Sequence, residues 1–225
     1  MPETYTHISI ILDRTGSMET IQDDVIGGFN QFLASQQQET SRATLTLVQF
    51  DSQDPYEVIH QFAPIDQVTA LSQATYVPRA STPLLDAIGR GIIDLGHRLA
   101  TMPAGEKPDQ VVFVIITDGQ ENSSREFTKA QVMQLLAEKQ EKEKWQFVFL
   151  SADLTALNDA MDYGFRAPAA MSFDKDAQGT AAVFSSLAKN VSSYRAQEAE
   201  ALIFDEEDRA QQRSEQSPKD TKKKR

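Results

Sequence analysis

Short apolar runs alternate along the chain with longer stretches in which apolar residues recur every three or four positions. The first run, Ile8–Leu12, and the most continuous one, Val111–Ile116, predict strands that are buried on both faces, as parallel sheets require. Thr44–Phe50 and Tyr56–Phe62 are rich in β-formers, and the turn-forming link between them is too short for a crossover helix. These two runs therefore predict an antiparallel hairpin, with its second strand at the edge of the sheet.

Helical spacing fills most of the remaining chain. Thr82 followed by Pro83 is a typical helix start, in which the threonine hydroxyl caps the first turn. In the first helix we expect Gly27 and Gly28 to allow close packing on the sheet. The apolar periodicity predicts helices over Glu19–Gln38, from Leu84 to Ala100, after Thr128, over Leu154–Tyr163 and over Ala177–Tyr194. The Thr128 side chain can cap the helix that follows it. Further strands are expected over Trp145–Leu150 and Ala169–Phe173, so the alternation indicates a doubly wound α/β fold.

Composition narrows the function classes. The chain has 225 residues, a formal net charge of −11 and no cysteine. The acidic balance argues against a nucleic-acid-binding surface, and the absence of cysteine excludes disulfides and zinc-thiolate sites. No signal peptide or membrane-spanning run is recognisable, so we expect a cytoplasmic protein without membrane contact. Residues 1–196 should form one domain, and residues 197–225 a charged tail in which 201–204 prolong the last helix and the final dozen residues are disordered.

Oxygen-bearing side chains follow the predicted strands. Asp13, Thr15 and Ser17 come directly after the first strand, Asp118 follows the central strand, and Thr82 precedes a helix. Singly, each has a simple structural interpretation, such as a helix cap for Thr82 and a tight turn for Asp118. Jointly, they offer carboxylates and hydroxyls at the carboxyl edge of the sheet, where α/β proteins place their sites. Such hard oxygen donors suit Mg²⁺ or a similar ion.

Three segments of the chain together resemble a known family. Asp13-Arg-Thr-Gly-Ser-Met18, Ser81-Thr-Pro-Leu-Leu-Asp86 and Ile116-Thr-Asp-Gly-Gln-Glu-Asn122 are similar, in order and spacing, to the metal-ion-dependent adhesion site (MIDAS) of von Willebrand factor type A (vWA) domains. The resemblance covers roughly residues 6–194. The chain departs from the family motif at Thr15, where serine is more usual and where threonine keeps the hydroxyl. The resemblance implies a six-stranded, mostly parallel sheet with one antiparallel edge strand and helices on both faces.

The resemblance also implies roles for the candidate residues. Thr15, Ser17 and, in some states, Thr82 would contact the ion directly, while Asp13 and Asp118 would act through water or by fixing the hydroxyls. The ion would be Mg²⁺, or Mn²⁺ or Ca²⁺, and a Glu or Asp carboxylate of a partner protein would complete its coordination. Intracellular bacterial and phage members are similar in lacking disulfides and signals, and by analogy the partner would be an ATPase or a modifying enzyme.

The resulting hypothesis is a non-enzymatic, metal-dependent protein-binding module. The alternative is a Mg²⁺-dependent phosphoryl-transfer enzyme with Asp13 as nucleophile. That reaction would want a second acid two residues later, where this chain has Thr15. The histidines His7, His60 and His97 lie on predicted strands and a helix and form no cluster with ligand spacing.

Overall fold

Six strands form one central sheet in the computed structural model, which describes residues 4–211. The strands are β1 (Thr6–Asp13), β2 (Ala43–Phe50), β3 (Glu57–Pro64), β4 (Gln110–Thr117), β5 (Gln146–Ser151) and β6 (Ala170–Ser172). Their order across the sheet is β3-β2-β1-β4-β5-β6, and every neighbouring pair is parallel except β2 and β3. The predicted parallel sheet with an antiparallel edge strand is therefore confirmed.

Helices cover both faces of the sheet. They are α1 (Gln22–Gln38), α2 (Leu84–Thr101), α3 (Lys129–Lys142), α4 (Leu154–Tyr163), α5 (Ala177–Arg195) and α6 (Glu206–Gln211). The apolar side chains of α1 and α5 pack on one face with Ile10, and those of α2, α3 and α4 pack on the other with Ile11. All eight residues of β1 are buried, as expected for a central strand of a parallel sheet that is covered on both faces. Within residues 4–211, no helix is long and apolar enough to cross a membrane.

The first helix differs in two ways from the prediction. A 3₁₀ helix covers Gly16–Ile21, so α1 begins at Gln22 rather than at Glu19. Close packing was expected against the sheet, but a Cβ built on Gly28 would lie 2.3 Å from the Phe184 ring of α5. The glycine thus allows two helices to approach each other on the same face of the sheet.

The chain beyond α5 also departs from the prediction. Gln197 adopts a left-handed φ of 60°, which ends the helix, so residues 201–204 do not prolong it. Instead, Leu202 and Phe204 are buried in the core on the α1 and α5 side, and the Phe204 amide donates a hydrogen bond to the Pro168 carbonyl at 2.9 Å. The packed part of the chain therefore extends past residue 196. Residues 212–225, which include the end predicted to be disordered, lie outside the described residues.

Candidate metal centre

The candidate site lies at the carboxyl edge of the two central strands. Strands β1 and β4 are direct neighbours, with Leu12 opposite Ile116. Asp13 is the last residue of β1, and Asp118 follows the last residue of β4. The two carboxylates therefore rise side by side, as the sequence predicts.

Asp13 is held rigidly at the base of the site. Its Oδ1 accepts a hydrogen bond from the Thr15 amide at 2.7 Å, and its Oδ2 accepts one from the Thr117 hydroxyl at 2.6 Å. Burial raises the pKa of Asp13 to about 7, although these hydrogen bonds oppose the shift. With both oxygens engaged and no exposed surface, Asp13 fixes the loop after β1 rather than presenting a free carboxylate.

The three hydroxyls converge above Asp13. Thr15 Oγ1 and Ser17 Oγ are 3.1 Å apart, and Ser17 Oγ donates a hydrogen bond to Asp118 Oδ1 at 2.7 Å. A Cβ built on Gly119 would lie 3.9 Å from Ser17 Oγ and 4.0 Å from Thr82 Oγ1. Both hydroxyl oxygens thus lie within 4.0 Å of one position beside Gly119, and oxygens from all three chain segments lie close together.

Thr82 does not cap the following helix, so the predicted cap is wrong. Helix α2 begins at Leu84, after Pro83, and has no local side-chain cap. A distant loop supplies the missing acceptors, because the Leu85 amide donates to Glu121 Oε2 at 2.9 Å and the Asp86 amide donates to Ser124 Oγ at 3.0 Å. The Thr82 hydroxyl is therefore not needed as a helix cap.

The same loop and α2 hold each other reciprocally. The Asp86 carboxylate accepts hydrogen bonds at 2.8–2.9 Å from three successive loop amides, those of Arg125, Glu126 and Phe127. Asp118 begins this loop, so its carboxylate and the Thr82 segment are built into one rigid unit. Sequence reasoning missed Glu121 and Asp86, although both lie within the motif segments.

A further network ties the loop after β1 to the Thr82 segment. The Gly16 amide donates to the Ala80 carbonyl at 3.1 Å, and the Arg79 amide donates to the Arg14 carbonyl at 2.8 Å. Arg14 is itself buried and pairs with Asp51 at 2.7 Å. The positions of Thr15 and Thr82 are therefore coupled through the backbone.

Lys175, which sequence reasoning also missed, reaches into the site from the loop between β6 and α5. Its Nζ lies 2.6 Å from Asp118 Oδ2 and donates a hydrogen bond to the Ser17 carbonyl at 2.7 Å. Asp118 Oδ2 is buried and accepts no well-aligned hydrogen bond within residues 4–211, so the contact is an ion pair. Only the predicted topology could have pointed to Lys175, because every loop that follows a parallel strand emerges at the carboxyl edge of the sheet.

The donor set fits a divalent cation. Two carboxylates and three hydroxyls are hard oxygen ligands of the kind that Mg²⁺, Mn²⁺ and Ca²⁺ take. In the described part of the chain, no group of three or more His, Cys, Asp or Glu side chains could hold a metal. The hydroxyls are thus essential to this site, and the buried Asp118 Oδ2 is an anionic oxygen that a cation would satisfy.

Comparison with family models and with curated proteins finds no match. Solved structures do match. A von Willebrand factor type A protein from Catenulispora acidiphila superposes with a TM-score of 0.57 at 16% identity, covering 84% of this chain and 43% of that one. The pilus adhesin SpaC from Lactobacillus rhamnosus GG gives a TM-score of 0.63 at 13% identity, and the match covers 86% of this chain and 31% of that one. This chain has the vWA fold.

The vWA fold predicted from three short segments is therefore confirmed, and this chain spans less than half the length of either structure. Manganese-loaded TRAP protein from Plasmodium vivax also matches, with a TM-score of 0.54 at 16% identity over 76% of this chain and 69% of that one. So does proximal thread matrix protein 1 from the mussel byssus with a zinc-occupied MIDAS motif, with a TM-score of 0.55 at 16% identity over 84% and 46%. An intracellular bacterial or phage origin of this chain stays a prediction.

Proposed function

We propose that this vWA domain is a non-enzymatic module that binds a protein partner through a divalent cation. Thr15, Ser17 and Thr82 would hold the ion, and Asp13 and Asp118 would fix these hydroxyls and balance its charge. The observation that carries the proposal is the convergence of Ser17, Thr82 and Asp118 around Gly119.

Hydrogen bonding prepares the hydroxyls to act as ligands. Ser17 directs its proton to Asp118 Oδ1, which leaves oxygen lone pairs available to a cation. Asp13 accepts from the Thr15 amide and so holds Thr15 beside Ser17. When bound, the cation would supply a Lewis-acidic centre with few anionic ligands, and this favours an additional carboxylate from a partner.

We infer that the partner offers a Glu or Asp side chain. Mg²⁺ is the proposed ion, with Mn²⁺ and Ca²⁺ as substitutes that share its preference for oxygen ligands. Manganese-loaded TRAP and the zinc-occupied MIDAS motif of proximal thread matrix protein 1 support a divalent cation in this fold. An ATPase or a modifying enzyme as partner, and a cytoplasmic location, stay predictions.

The phosphoryl-transfer alternative receives no support from the geometry. A nucleophilic aspartate needs a carboxylate oxygen that substrate can reach. Both oxygens of Asp13 accept hydrogen bonds, and the residue is 0% exposed. Phosphatase activity that disappears in Asp13→Asn would nevertheless restore this hypothesis.

Titration calorimetry with Mg²⁺ and Mn²⁺ tests the metal site. Thr82→Val keeps the shape of the side chain but removes the hydroxyl, and should weaken binding by about tenfold or more. Thr101→Val is the matched control, because Thr101 lies exposed at the C-terminal end of α2, far from the segment that precedes this helix and carries Thr82. Absence of binding to the wild type, or equal binding by the wild type and Thr82→Val, would contradict the proposal.

Affinity capture from a lysate, with and without chelator, tests partner binding. Any protein bound through the ion should be released when the metal is stripped, and Asp118→Ala should not retain it. A partner that stays bound in chelator and to Asp118→Ala would contradict recruitment through the ion.

A further inference from the structure

We propose that Lys175 is a built-in counter-cation of the candidate metal site. In the metal-free protein its ammonium neutralises Asp118, and a divalent cation has to displace it to bind. Lys175 would thereby set the metal concentration at which the module becomes competent for its partner. The inference rests on the proposed function, since a competitor matters only where a cation binds.

The contacts of Lys175 place its charge between two of the site-forming loops. Its Nζ is 2.6 Å from Asp118 Oδ2 in the loop after β4 and 2.7 Å from the Ser17 carbonyl oxygen in the loop after β1. The Asp118 side chain is fully buried, whereas the Lys175 side chain is 34% exposed. The lysine thus neutralises the carboxylate whose other oxygen, Oδ1, accepts the hydrogen bond of the Ser17 hydroxyl.

The backbone on either side of Lys175 is firmly anchored. Phe173 is buried, and its amide donates to the Ser151 carbonyl at 3.0 Å. Asp176 caps α5 by accepting from the Gly179 amide at 2.8 Å. A Cβ on Gly179 would lie 2.3 Å from the Asp174 carbonyl oxygen, so helix and loop are in close contact. These anchors hold the lysine at the rim of the site.

Other basic side chains nearby are already paired elsewhere. Arg14 and Arg79 both contact Asp51, at 2.7 and 2.9 Å. Among residues 4–211, Lys175 is the ion-pair partner that the structure gives to Asp118. Removal of Lys175 would therefore leave this buried carboxylate without a compensating charge, which destabilises the metal-free state.

An ammonium and a divalent cation that both contact Asp118 would repel each other, so the cation binds at the expense of the ion pair between Lys175 and Asp118. The flexible four-carbon stem of lysine lets the ammonium move towards solvent once a stronger cation arrives. Displacement costs the ion pair with Asp118, and this cost lowers the apparent metal affinity. Loss of the positive charge should accordingly raise the affinity.

The test compares Lys175→Met with the wild type, by calorimetric titration of Mn²⁺ and by thermal unfolding in chelator. Lys142→Met is the matched control, since it removes the same charge from a lysine whose side chain is 72% exposed and pairs with Glu138. Lys175→Arg keeps the charge. We expect Lys175→Met to bind Mn²⁺ about tenfold more tightly than the wild type and to unfold at a lower temperature in chelator. Lys142→Met should behave like the wild type in both measurements. Lys175→Arg should resemble the wild type more closely than Lys175→Met does.

The outcomes separate the two proposals. Tighter Mn²⁺ binding by Lys175→Met than by the wild type, with a lower unfolding temperature in chelator, would support the counter-cation. Equal or weaker binding by Lys175→Met, or unchanged unfolding in chelator, would overturn the counter-cation and leave the metal site standing. Failure of both proteins to bind Mn²⁺ would instead overturn the proposed function, and the inference with it.

Discussion

Asn122 holds both backbone polar groups of Thr82. Asn122 Oδ1 accepts a hydrogen bond from the Thr82 amide at 2.9 Å, and the Asn122 backbone amide donates to the Thr82 carbonyl at 3.1 Å. Asn122 lies four residues after Asp118 in the same loop. The loop that carries one candidate carboxylate therefore also sets the position of a candidate hydroxyl.

Replacement of Asn122 should weaken metal binding without removing any candidate ligand. In Asn122→Ala, the Thr82 amide loses its acceptor and the hydroxyl loses its fixed position. We expect about tenfold lower Mn²⁺ affinity by calorimetry, the lower end of the effect of residues that orient ligands.

Asn30→Ala is the matched control for this prediction. The Asn30 side chain pairs with the backbone of Leu71 in a similar way, at 2.9 and 2.7 Å, but away from the site. Asn30→Ala should lower the free energy of unfolding about as much as Asn122→Ala does, and it should leave the Mn²⁺ affinity unchanged. Equal loss of affinity in both variants would show that general destabilisation, rather than the position of Thr82, is responsible.

Two neighbouring glycines of α1 should respond oppositely to alanine. Gly28→Ala pushes a methyl group against the Phe184 ring and should destabilise the protein by about 1–3 kcal/mol. Gly27 is exposed, and a Cβ added to it would meet nothing within 4 Å, so Gly27→Ala should stabilise by up to about 1 kcal/mol through helix propensity. Denaturant unfolding measures both, and equal effects would contradict the close packing of α1 on α5.

Buried His7 should make stability depend on pH. Burial, and to a lesser degree the charge of Arg98, lowers the pKa of His7 to about 3. In the unfolded chain the histidine has its ordinary pKa of about 6.5, so between these two pKa values the unfolded state binds more protons than the folded state. The contribution of His7 to stability should therefore fall below about pH 6.5, by about 1 kcal/mol per pH unit. Buried Asp13, whose pKa is raised to about 7, contributes in the opposite direction over the same range.

The variant His7→Phe tests this dependence. Phenylalanine keeps the stacking on Phe62, where the ring centroids are 3.7 Å apart, and the Thr44 hydroxyl keeps its hydrogen bond to Tyr5. Relative to the wild type, the unfolding free energy of His7→Phe should change in favour of stability when the pH is lowered from 7 to 5, because only the histidine contribution is removed. The exposed His97→Gln should leave the pH dependence unchanged, and an unchanged pH dependence in His7→Phe would refute the assignment.

Local pattern was sufficient to predict most of the fold. Strand β4 could be predicted because its residues form a continuous apolar run. The helix over Leu154–Tyr163 could be predicted because its apolar residues recur with helical spacing. The capping of α3 by Thr128 was also predicted, because its partner Gln131 lies within the same turn.

The errors arose where distant segments decide the structure. Thr82 does not cap α2 because Glu121 and Ser124, about forty residues away in the chain, satisfy those amides instead. The Lys175 contact with Asp118 spans a still longer stretch of chain and has no sequence motif. Spacing along the chain thus identified the candidate oxygen ligands, but not the residues that hold them or compete for them.

A crystal structure of the protein grown with Mn²⁺, with anomalous scattering used to locate the ion, tests the central claim most directly. We predict one strong peak among Thr15, Ser17 and Thr82, about 2.0–2.3 Å from at least two of their hydroxyl oxygens. The Lys175 ammonium should then have moved away from Asp118. No peak at saturating Mn²⁺, or a peak away from these hydroxyls, would contradict a metal-dependent binding site in this protein.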